Sequence, residues 1–327
     1  MIHMTTVHWG VIGPGRIAEN FGREFPADQT LYGVASDHSP EKAQAFARKF
    51  QIPHVYANHA ELLADPAIDV VYIATTNNVH ADNIRAALLA GKHVLAEKPV
   101  TLNLTQLKAL DQLAADRHLI LMEAQTIYHM PLYPKLLQVV HDQQLGKLQS
   151  LHAAFGLGSD PTDQTGRLLN PQLGGGGLLD MGIYALSFAR RLMTAPPQLA
   201  QTVMVPTQTG VDNLSATVVT NAHHELATFS FNLLPAAPEL AYAVYEHGYF
   251  LIDRYLRPDQ AVYVDGRTGE HQTIVAGHRD QAMGYEAQDM AQAIATGQNP
   301  TQAWTRDTMA LMTAMRQAWG LTYPQER

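Results

Sequence analysis

The chain has 327 residues, of which 46% are hydrophobic and 16% are charged, with a formal net charge of −8 and no cysteine. Its length predicts about two domains, and its acidic balance disfavours a nucleic-acid-binding protein. The lack of cysteine excludes disulfides, thiolate nucleophiles and cysteine-ligated metals. Neither a secretory signal nor an apolar run of membrane-spanning length is evident, so we expect a cytoplasmic protein with no membrane segment.

The first 123 residues alternate short apolar runs with helical patterns. Strands are predicted at 7–12, 31–35, 55–56, 70–74, 93–96 and 119–122. Helices are predicted at 17–25, 40–50, 80–90 and 104–115. Such regular alternation predicts an α/β domain of the Rossmann type, with a doubly wound parallel sheet.

The pattern changes near residue 124. A helix is predicted at 133–140, strand-like sequence comes after residue 148, and a glycine-rich segment leads into a helix over 174–193. Further strands are predicted at 201–205, 216–220, 226–233, 241–246, 249–256 and 261–264, and helices at 283–295 and 306–320. Phe229 and Phe231 alternate with polar residues, which predicts a sheet with unlike faces. We therefore expect domains at 1–124 and 125–327. The second would be α+β with a large, mainly antiparallel open sheet, and its last helix could pack back on the first domain.

A glycine-rich turn joins the first predicted strand to the first helix. In this GxGxxA pattern the first glycine permits a tight turn, the second lets the backbone approach a pyrophosphate, and the alanine allows close packing. Phosphates would meet the unpaired N–H groups of the helix N-terminus. The arginine of the turn either reaches the pyrophosphate or is solvated. The segment is Gly13, Pro14, Gly15, Arg16, Ile17 and Ala18.

An aspartate ends the second predicted strand, about 20 residues beyond the glycines. The carboxylate of Asp37 could accept both ribose hydroxyls of a dinucleotide and would repel a 2′-phosphate, which favours NAD over NADP. Its neighbour His38 could tolerate a phosphate when protonated, so NADP stays open. Asp37 could also simply cap a turn.

Four segments resemble one known family, that of glucose–fructose oxidoreductase, inositol dehydrogenase and MocA. Residues 90–99 resemble its "AGKHVLxEKP" motif, residues 74–80 its "ATPNxxH", residues 173–184 its "LGGGALLDxGxY", and residues 320–324 a common ending. The resemblance covers the whole chain and is greatest to the subgroup of dimeric dihydrodiol dehydrogenases and sugar dehydrogenases. Thr76 stands where proline is usual, and residues 126–129 lack the tryptophan and arginine of that subgroup, which puts the substrate in doubt.

The resemblance implies a catalytic group of Lys98, Asp180 and Tyr184. Lys98 lies directly after a strand, where ligands of open α/β sheets bind, and would bind the substrate oxygen, with a cis Lys98–Pro99 bond. Tyr184 would be the acid/base, and its phenolate would be favoured by the Lys98 ammonium. Asp180, four residues earlier on one helix face, would orient Lys98 or a substrate hydroxyl. Lys98 and Tyr184 could exchange roles, Tyr184 could be a packed core residue, and Asp180 could be only a structural partner.

Further residues of the matching segments would line the cofactor site. Glu97 would support the loop or contact the nicotinamide region, and His80 could instead only begin its helix. Lys98 would also contact the cofactor. The lining residues are Thr75, Asn77, His80 and Glu97.

The expected function is that of an NAD(P)-dependent dehydrogenase or reductase. Its substrate would be a secondary alcohol, or the matching carbonyl, of a sugar, polyol or cyclic diol. The family implies a homodimer or higher homo-oligomer through the C-terminal sheet. The alternative is a non-catalytic regulator that senses NAD or a sugar. We expect no metal site, because His223 and His224 would point to opposite faces of a strand.

Overall fold

A computed structural model describes residues 7–326. The strands are β1 His8–Ile12, β2 Thr30–Ala35, β3 His54–Tyr56, β4 Val70–Ile73, β5 His93–Glu97, β6 Leu121–Ala124, β7 Leu148–Leu157, β8 Gln198–Pro206, β9 Asp212–Thr220, β10 Leu226–Asn232, β11 Ala236–Tyr245, β12 Gly248–Asp253, β13 Gln260–Asp265 and β14 His271–Val275. The helices are α1 Arg16–Glu24, α2 Pro40–Phe50, α3 His59–Ala64, α4 His80–Leu89, α5 Leu104–Asp116, α6 Thr126–His129, α7 Leu132–Asp142, α8 Ile183–Leu192, α9 Ala282–Thr296 and α10 Gln302–Trp319. The prediction that the chain has no secretory signal rests partly on residues 1–6, and these lie outside the described residues.

The described residues form two compact units. Unit 1 consists of residues 7–124 and 280–303, and unit 2 of residues 125–279 and 304–326. The helix that joins unit 1 from the C-terminal region is therefore α9, the penultimate one, while α10 lies in unit 2 from residue 304 onward. No helix within residues 7–326 is both long enough and apolar enough to cross a bilayer.

Unit 1 is built on a six-stranded sheet in the order β3-β2-β1-β4-β5-β6, with every strand pair parallel. The predicted doubly wound sheet is thus confirmed. All four residues of β4 are buried, as a strand covered on both faces requires. The rings of Phe21 on α1 and Tyr72 on β4 stack 3.9 Å apart, and Met283 and Met290 of α9 complete the same core.

Unit 2 is built on an eight-stranded sheet in the order β14-β13-β12-β11-β7-β10-β9-β8. Every pair is antiparallel except β7 with β10, so the predicted, mainly antiparallel sheet is also confirmed. Phe229 and Phe231 are buried whereas the polar residues between them are half-buried. A side chain at Gly182 would lie 2.7 Å from the Phe231 ring, so the segment before α8 packs closely on this inner face.

The helix predicted over 174–193 begins later than expected. Gly174 and Gly176 have φ angles of +71° and +125°, which no helix contains, so the glycines form a turn. A π-helical turn, Leu178–Gly182, comes next and continues without a break into α8. Three further elements escaped the sequence analysis: α3, which spans only six residues, α6, which spans four, and β14, in which Ile274 is the buried residue.

Candidate active site

The sequence-predicted residues of unit 1 gather at one edge of its sheet. The glycine-rich turn comes after β1, Asp37 after β2, residues 75–80 after β4, and Lys98 after β5. Because these strands are parallel and adjacent, their carboxyl ends lie at the same edge. This is the edge where open α/β sheets bind their ligands.

The turn after β1 has the geometry of a phosphate-binding loop. Gly13 has a φ of +84°, and a Cβ there would lie 2.9 Å from the Ala74 carbonyl group, so only glycine fits. The Gly15 N–H donates to the Gly13 carbonyl over 2.7 Å, which closes the turn. The nearest atom to a Cβ at Gly15 would be 4.0 Å away, so the outer side of the turn is open. Arg16 then begins α1 at the surface, and the N-terminus of α1 has no side-chain cap among residues 7–326.

Asp37 is held by a residue that the sequence analysis missed. Its Oδ1 accepts the backbone N–H of His59 over 2.7 Å, and its Oδ2 lies 3.0 Å from the His59 Nδ1. The Asp37 side chain is 41% exposed, so both oxygens can still reach a ligand. His59 begins α3, whose N-cap Asn58 accepts the N–H of Glu61 over 2.9 Å. The pattern Asn-x-x-Glu is a sequence signal for that helix start, and it could have revealed His59.

Burial lowers the pKa of His59, although the Asp37 carboxylate opposes this change. The nearby His38, which is exposed, adds to the lowering. The ring of His59 is therefore neutral at pH 7 and adds no positive charge beside Asp37.

His80 joins the loops that follow β4 and β5. It is fully buried, with Nδ1 at 2.9 Å from the Pro99 carbonyl and Nε2 at 3.0 Å from the Thr75 carbonyl. Burial lowers its pKa, although both carbonyls favour the protonated ring. The Thr75 side chain accepts the Asn83 amide over 3.2 Å, and Asn77 lies half-buried in a 3₁₀ turn of the same loop.

Lys98 is half-buried directly after β5, and its peptide bond to Pro99 is cis, as the resemblance implied. Glu97, just before it, is buried, and its Oε1 accepts the hydroxyl of Tyr72 over 2.5 Å. On the far side of the proline, the Val100 N–H donates to Glu123 over 3.0 Å. Carboxylates of the core therefore anchor both sides of the short segment that carries Lys98.

The other two predicted catalytic residues, Asp180 and Tyr184, lie in unit 2. Asp180 lies in the π-helical turn, and its Oδ1 accepts the Arg167 Nη1 over 2.8 Å. The Asp180 side chain is 15% exposed and that of Arg167 is 47% exposed. Arg167, in the loop after β7, is a second residue that the sequence analysis missed, since no motif singles it out.

Tyr184 is the second residue of α8. It is half-buried, as are Arg190 and Arg191, whereas the other α8 residues are buried. Tyr184 therefore lies on the accessible side of a helix that is otherwise packed inward. π-helical turns within α-helices are frequent at functional sites, and this one lies directly before Tyr184.

No cluster of three or more possible metal ligands occurs within residues 7–326. His223 and His224, which the sequence analysis considered as metal ligands, lie in a turn before β10. There the His223 Nδ1 lies 2.7 Å from the hydroxyl of Thr194. That hydroxyl donates to Glu225 over 2.6 Å, so the cluster ties the turn to the end of α8.

Comparison with known proteins gives matches along most of the chain. Residues 7–125 match the model of an oxidoreductase family with an NAD-binding Rossmann fold, and residues 133–250 match the GFO/IDH/MocA C-terminal domain. A trans-1,2-dihydrobenzene-1,2-diol dehydrogenase of Xenopus laevis is 28% identical over 97% of this chain and 99% of its own length.

Solved structures agree with these matches. The 3-ketoreductase KijD10 of Actinomadura kijaniata, in complex with NADP and TDP-benzene, has a TM-score of 0.84 and 26% identity. The match covers 96% of this chain and 98% of that one. A levoglucosan dehydrogenase in complex with NADH and levoglucosan has a TM-score of 0.85 at 20% identity, covering 97% and 98%, and supports the fold alone.

Proposed function

The chain belongs to the Gfo/Idh/MocA family of NAD(P)-dependent oxidoreductases, and we propose that it oxidises a secondary alcohol of a sugar, polyol or cyclic diol, or reduces the matching carbonyl. One observation supports this most directly: the glycine turn, Asp37 and Lys98 share the carboxyl edge of one parallel sheet. A regulator that only senses NAD or a sugar would need the cofactor turn but no proton-transfer groups.

The residues of unit 1 fit a nicotinamide dinucleotide. The open outer side of Gly15 leaves room for a pyrophosphate, and the N–H groups at the start of α1 would bind it. Gly13, Pro14, Gly15, Arg16 and Ile17 would form that part of the site. Asp37 would accept the ribose hydroxyls, and its charge, which the neutral His59 leaves intact, favours NAD over NADP.

The bound dinucleotide supplies the acceptor or donor of the hydride. In the proposed reaction Lys98 donates a hydrogen bond from Nζ to the reacting oxygen of the substrate and stabilises the developing alkoxide. Tyr184 takes the hydroxyl proton during oxidation and returns it during reduction. Asp180, whose carboxylate is oriented by Arg167, holds Lys98 or a second substrate hydroxyl. The roles of Lys98 and Tyr184 could be exchanged, since both can donate to oxygen.

The remaining sequence-predicted residues would support the cofactor. Asn77 and Thr75 would line the nicotinamide side, His38 would lie beside the ribose, and Glu97 would hold the Lys98 loop in place. His80 would act through the two loops that it joins. In this proposal residues 1–124 bind the cofactor, and residues 125–327 bind the substrate and form the oligomer.

We also propose a homodimer, formed by the outer face of the sheet in unit 2. Strand pairing aligns apolar residues of five strands on this face, and each is more than a third exposed. An apolar patch of this kind is typical of an interface. The exposed aliphatic residues of this face are Val203, Val205, Val218, Leu226, Leu240 and Leu251.

The cytoplasmic location stays a prediction that cell fractionation would test.

The proposed function is tested by a screen of sugars, polyols, cyclic diols and ketones with NAD(H) and NADP(H), read at the nicotinamide absorbance band. With the best substrate, Tyr184→Phe is expected to lower kcat by about 10²- to 10⁴-fold, because it removes the general acid/base. Binding of NADH should be unchanged. Tyr285→Phe is the matched control, because it also removes a tyrosine hydroxyl. The Tyr285 hydroxyl contacts a neighbouring side chain, that of Gln281 on the same helical segment, at 3.4 Å.

The outcomes separate the alternatives. An unchanged kcat in Tyr184→Phe would remove Tyr184 from proton transfer and leave that role to Lys98. Tight NADH binding without turnover of any compound would favour the regulator.

A further inference from the structure

A carboxyl group lies fully buried beneath the glycine-rich segment of unit 2. Asp212, the first residue of β9, is 0% exposed. Its Oδ2 accepts the backbone N–H of Leu178 over 2.5 Å, whereas its Oδ1 has no hydrogen-bond partner of good geometry within residues 7–326. A buried carboxylate with one unsatisfied oxygen carries a desolvation penalty, so a compensating role is expected.

The C-terminal segment contacts the same glycines from another direction. A Cβ at Gly176 would clash with the Asp212 Oδ1 and would lie 3.1 Å from the Tyr323 hydroxyl, so this glycine lies between the two side chains. The Tyr323 hydroxyl donates to the Gly175 carbonyl over 2.5 Å. The Gln325 amide donates to the Gln172 carbonyl over 2.8 Å.

Tyr323 is itself firmly held. Its backbone N–H donates to Glu326 over 2.9 Å, and Glu326 accepts two bonds from the Arg316 guanidinium at 2.6 and 2.7 Å. That guanidinium lies 4.9 Å from the centre of the Tyr323 ring, and Arg316 is buried. The tyrosine is therefore a fixed contact and not a mobile tail.

The contact of Asp212 with Leu178 bears on the predicted catalytic residues. Leu178 begins the π-helical turn that carries Asp180, and the turn runs directly into α8 with Tyr184. Gly177, at the N-cap position, offers no side chain to bond the first N–H groups. Asp212 supplies that acceptor from a distant part of the chain, as an N-cap residue does locally.

We propose that Asp212, as a carboxylate, is a positioning residue for the reaction. Together with Tyr323 it fixes the glycine-rich segment, and so holds Asp180 and Tyr184 in the geometry that proton transfer needs. This inference rests on the proposed function of those two residues.

The charge of Asp212 responds to pH. Burial raises its pKa to about 6, opposed by hydrogen bonds from the backbone of Leu178 and Gly177 and by the Arg316 charge. Tyr323 and Glu326 are the other ionisable groups near Arg316, and burial raises the pKa of Tyr323 well above its usual value, so it remains a donor.

This raised pKa fixes the direction in which pH changes the stability of the fold. A carboxyl whose pKa is higher in the folded chain than in the unfolded chain makes the fold more stable as the pH falls from about 7 to 4. Ionised Asp212 therefore lowers the stability of the fold at pH 8. A carboxylate with a purely structural role would instead raise the stability of the fold at pH 8. The sign of this effect therefore separates a positioning role from a structural one.

The test is Asp212→Asn, which keeps the shape of the side chain and removes the charge. We expect kcat to fall by about 10- to 100-fold, because small misplacements of reacting groups have effects of that order. The KM of the substrate should change little, and the thermal midpoint at pH 8 should be unchanged or higher. In the wild type kcat should decline below about pH 6, and the variant should lack this decline.

Hydrogen–deuterium exchange gives a readout that needs no substrate. Amides of residues 176–186 should exchange faster in Asp212→Asn, and also in Tyr323→Phe, which removes the bond to Gly175 and serves if the first variant does not fold. Asp265→Asn is the matched control, since Asp265 also accepts backbone N–H groups but lies at the end of β13. It should leave kcat and this exchange unchanged.

Each outcome supports or overturns the inference. Faster exchange with a lower kcat supports it, whereas unchanged exchange, or faster exchange with an unchanged kcat, overturns it. A lower thermal midpoint with a normal kcat and pH profile would mean that Asp212 is purely structural. If the wild type turns over no substrate, the proposed function fails and the positioning role fails with it, while exchange still tells whether Asp212 and Tyr323 hold the segment.

Discussion

At the scale of single residues, the pair of Asp37 and His59 sets the charge at the end of β2. A carboxylate that accepts a backbone N–H and an imidazole N–H is fixed in direction yet keeps its charge while the imidazole is neutral. In the proposed cofactor site a 2′-phosphate would then be repelled. Protonation of His59 would cancel the charge of Asp37 and weaken that discrimination.

Cofactor preference should therefore depend on pH through His59. Because burial lowers the pKa of His59 in the fold, its protonation begins below about pH 6.5, the usual value for histidine. The ratio of kcat/KM for NADP to that for NAD is expected to rise as the pH falls from about 8 to about 5.5. In His59→Asn the ratio should depend less on pH.

The second ionisable histidine provides the control for this experiment. His38 is exposed beside Asp37, so His38→Asn is measured in parallel. If His38→Asn removes the pH dependence and His59→Asn does not, the role assigned to His59 is wrong. A pH-independent ratio in the wild type would exclude both.

At the scale of elements, the strand–helix alternation of residues 7–124 could be predicted because each buried parallel strand is a continuous apolar run. The positions of Gly13, Asp37 and Lys98 could be predicted from the same pattern, since each comes directly after such a strand. The Asn-x-x-Glu pattern indicates the helix that begins at His59, but the sequence does not indicate that His59 contacts Asp37. It does not indicate that Arg167 contacts Asp180 either, because both are tertiary contacts that leave no periodic signal.

The start of the helix that follows the glycine-rich segment could not be predicted from the sequence either. The residue pattern of this segment continues into that of α8, so the sequence predicts one helix from residue 174. The helix instead begins at Leu178, because the positive φ angles of Gly174 and Gly176 form a turn. The Leu178 N–H then finds its acceptor on Asp212, a residue 34 positions further along the chain.

The loops after β4 and β5 should respond as one element to loss of His80. His80→Ala would leave a cavity and remove the group that joins the Thr75 and Pro99 carbonyls. We expect the free energy of unfolding to fall by about 2–4 kcal/mol, and the KM of the cofactor to rise because Lys98 lies in one of these loops. Urea denaturation and initial rates measure the two effects.

A variant of a surface histidine is the control for His80→Ala. The His141 side chain is 90% exposed at the end of α7, so His141→Ala should change neither quantity. If His80→Ala loses stability but keeps the cofactor KM, His80 only fills the core.

At the scale of the whole molecule, the sheet of unit 2 explains part of the low charge content. Its outer face presents exposed aliphatic residues on five strands, where a monomer would favour charged side chains. The sequence could indicate that the two faces of this sheet differ. It could not indicate that the outer face also carries exposed aliphatic residues, because β8 has no buried residue that would define an alternation.

A charge on that face should separate the proposed dimer. Val218→Glu places a carboxylate among these aliphatic residues, and we expect the mass in solution to fall from about twice that of the chain to that of a single chain. Sedimentation or light scattering at micromolar concentration measures this. Val55→Glu is the control, since Val55 is 45% exposed on β3 of unit 1. A wild-type monomer would refute the proposed dimer.

The return of residues 280–303 to unit 1 has a consequence for how the chain can be divided. Met283, Ala287 and Met290 of α9 belong to the same core as Trp9 and Tyr72. A gene fragment that stops after residue 124 would therefore encode unit 1 without α9, and the core residues that α9 covers would be exposed to solvent. The two units are spatial bodies and not consecutive coding blocks, so recombination between relatives must exchange residues 280–303 together with the N-terminal segment that ends at residue 124.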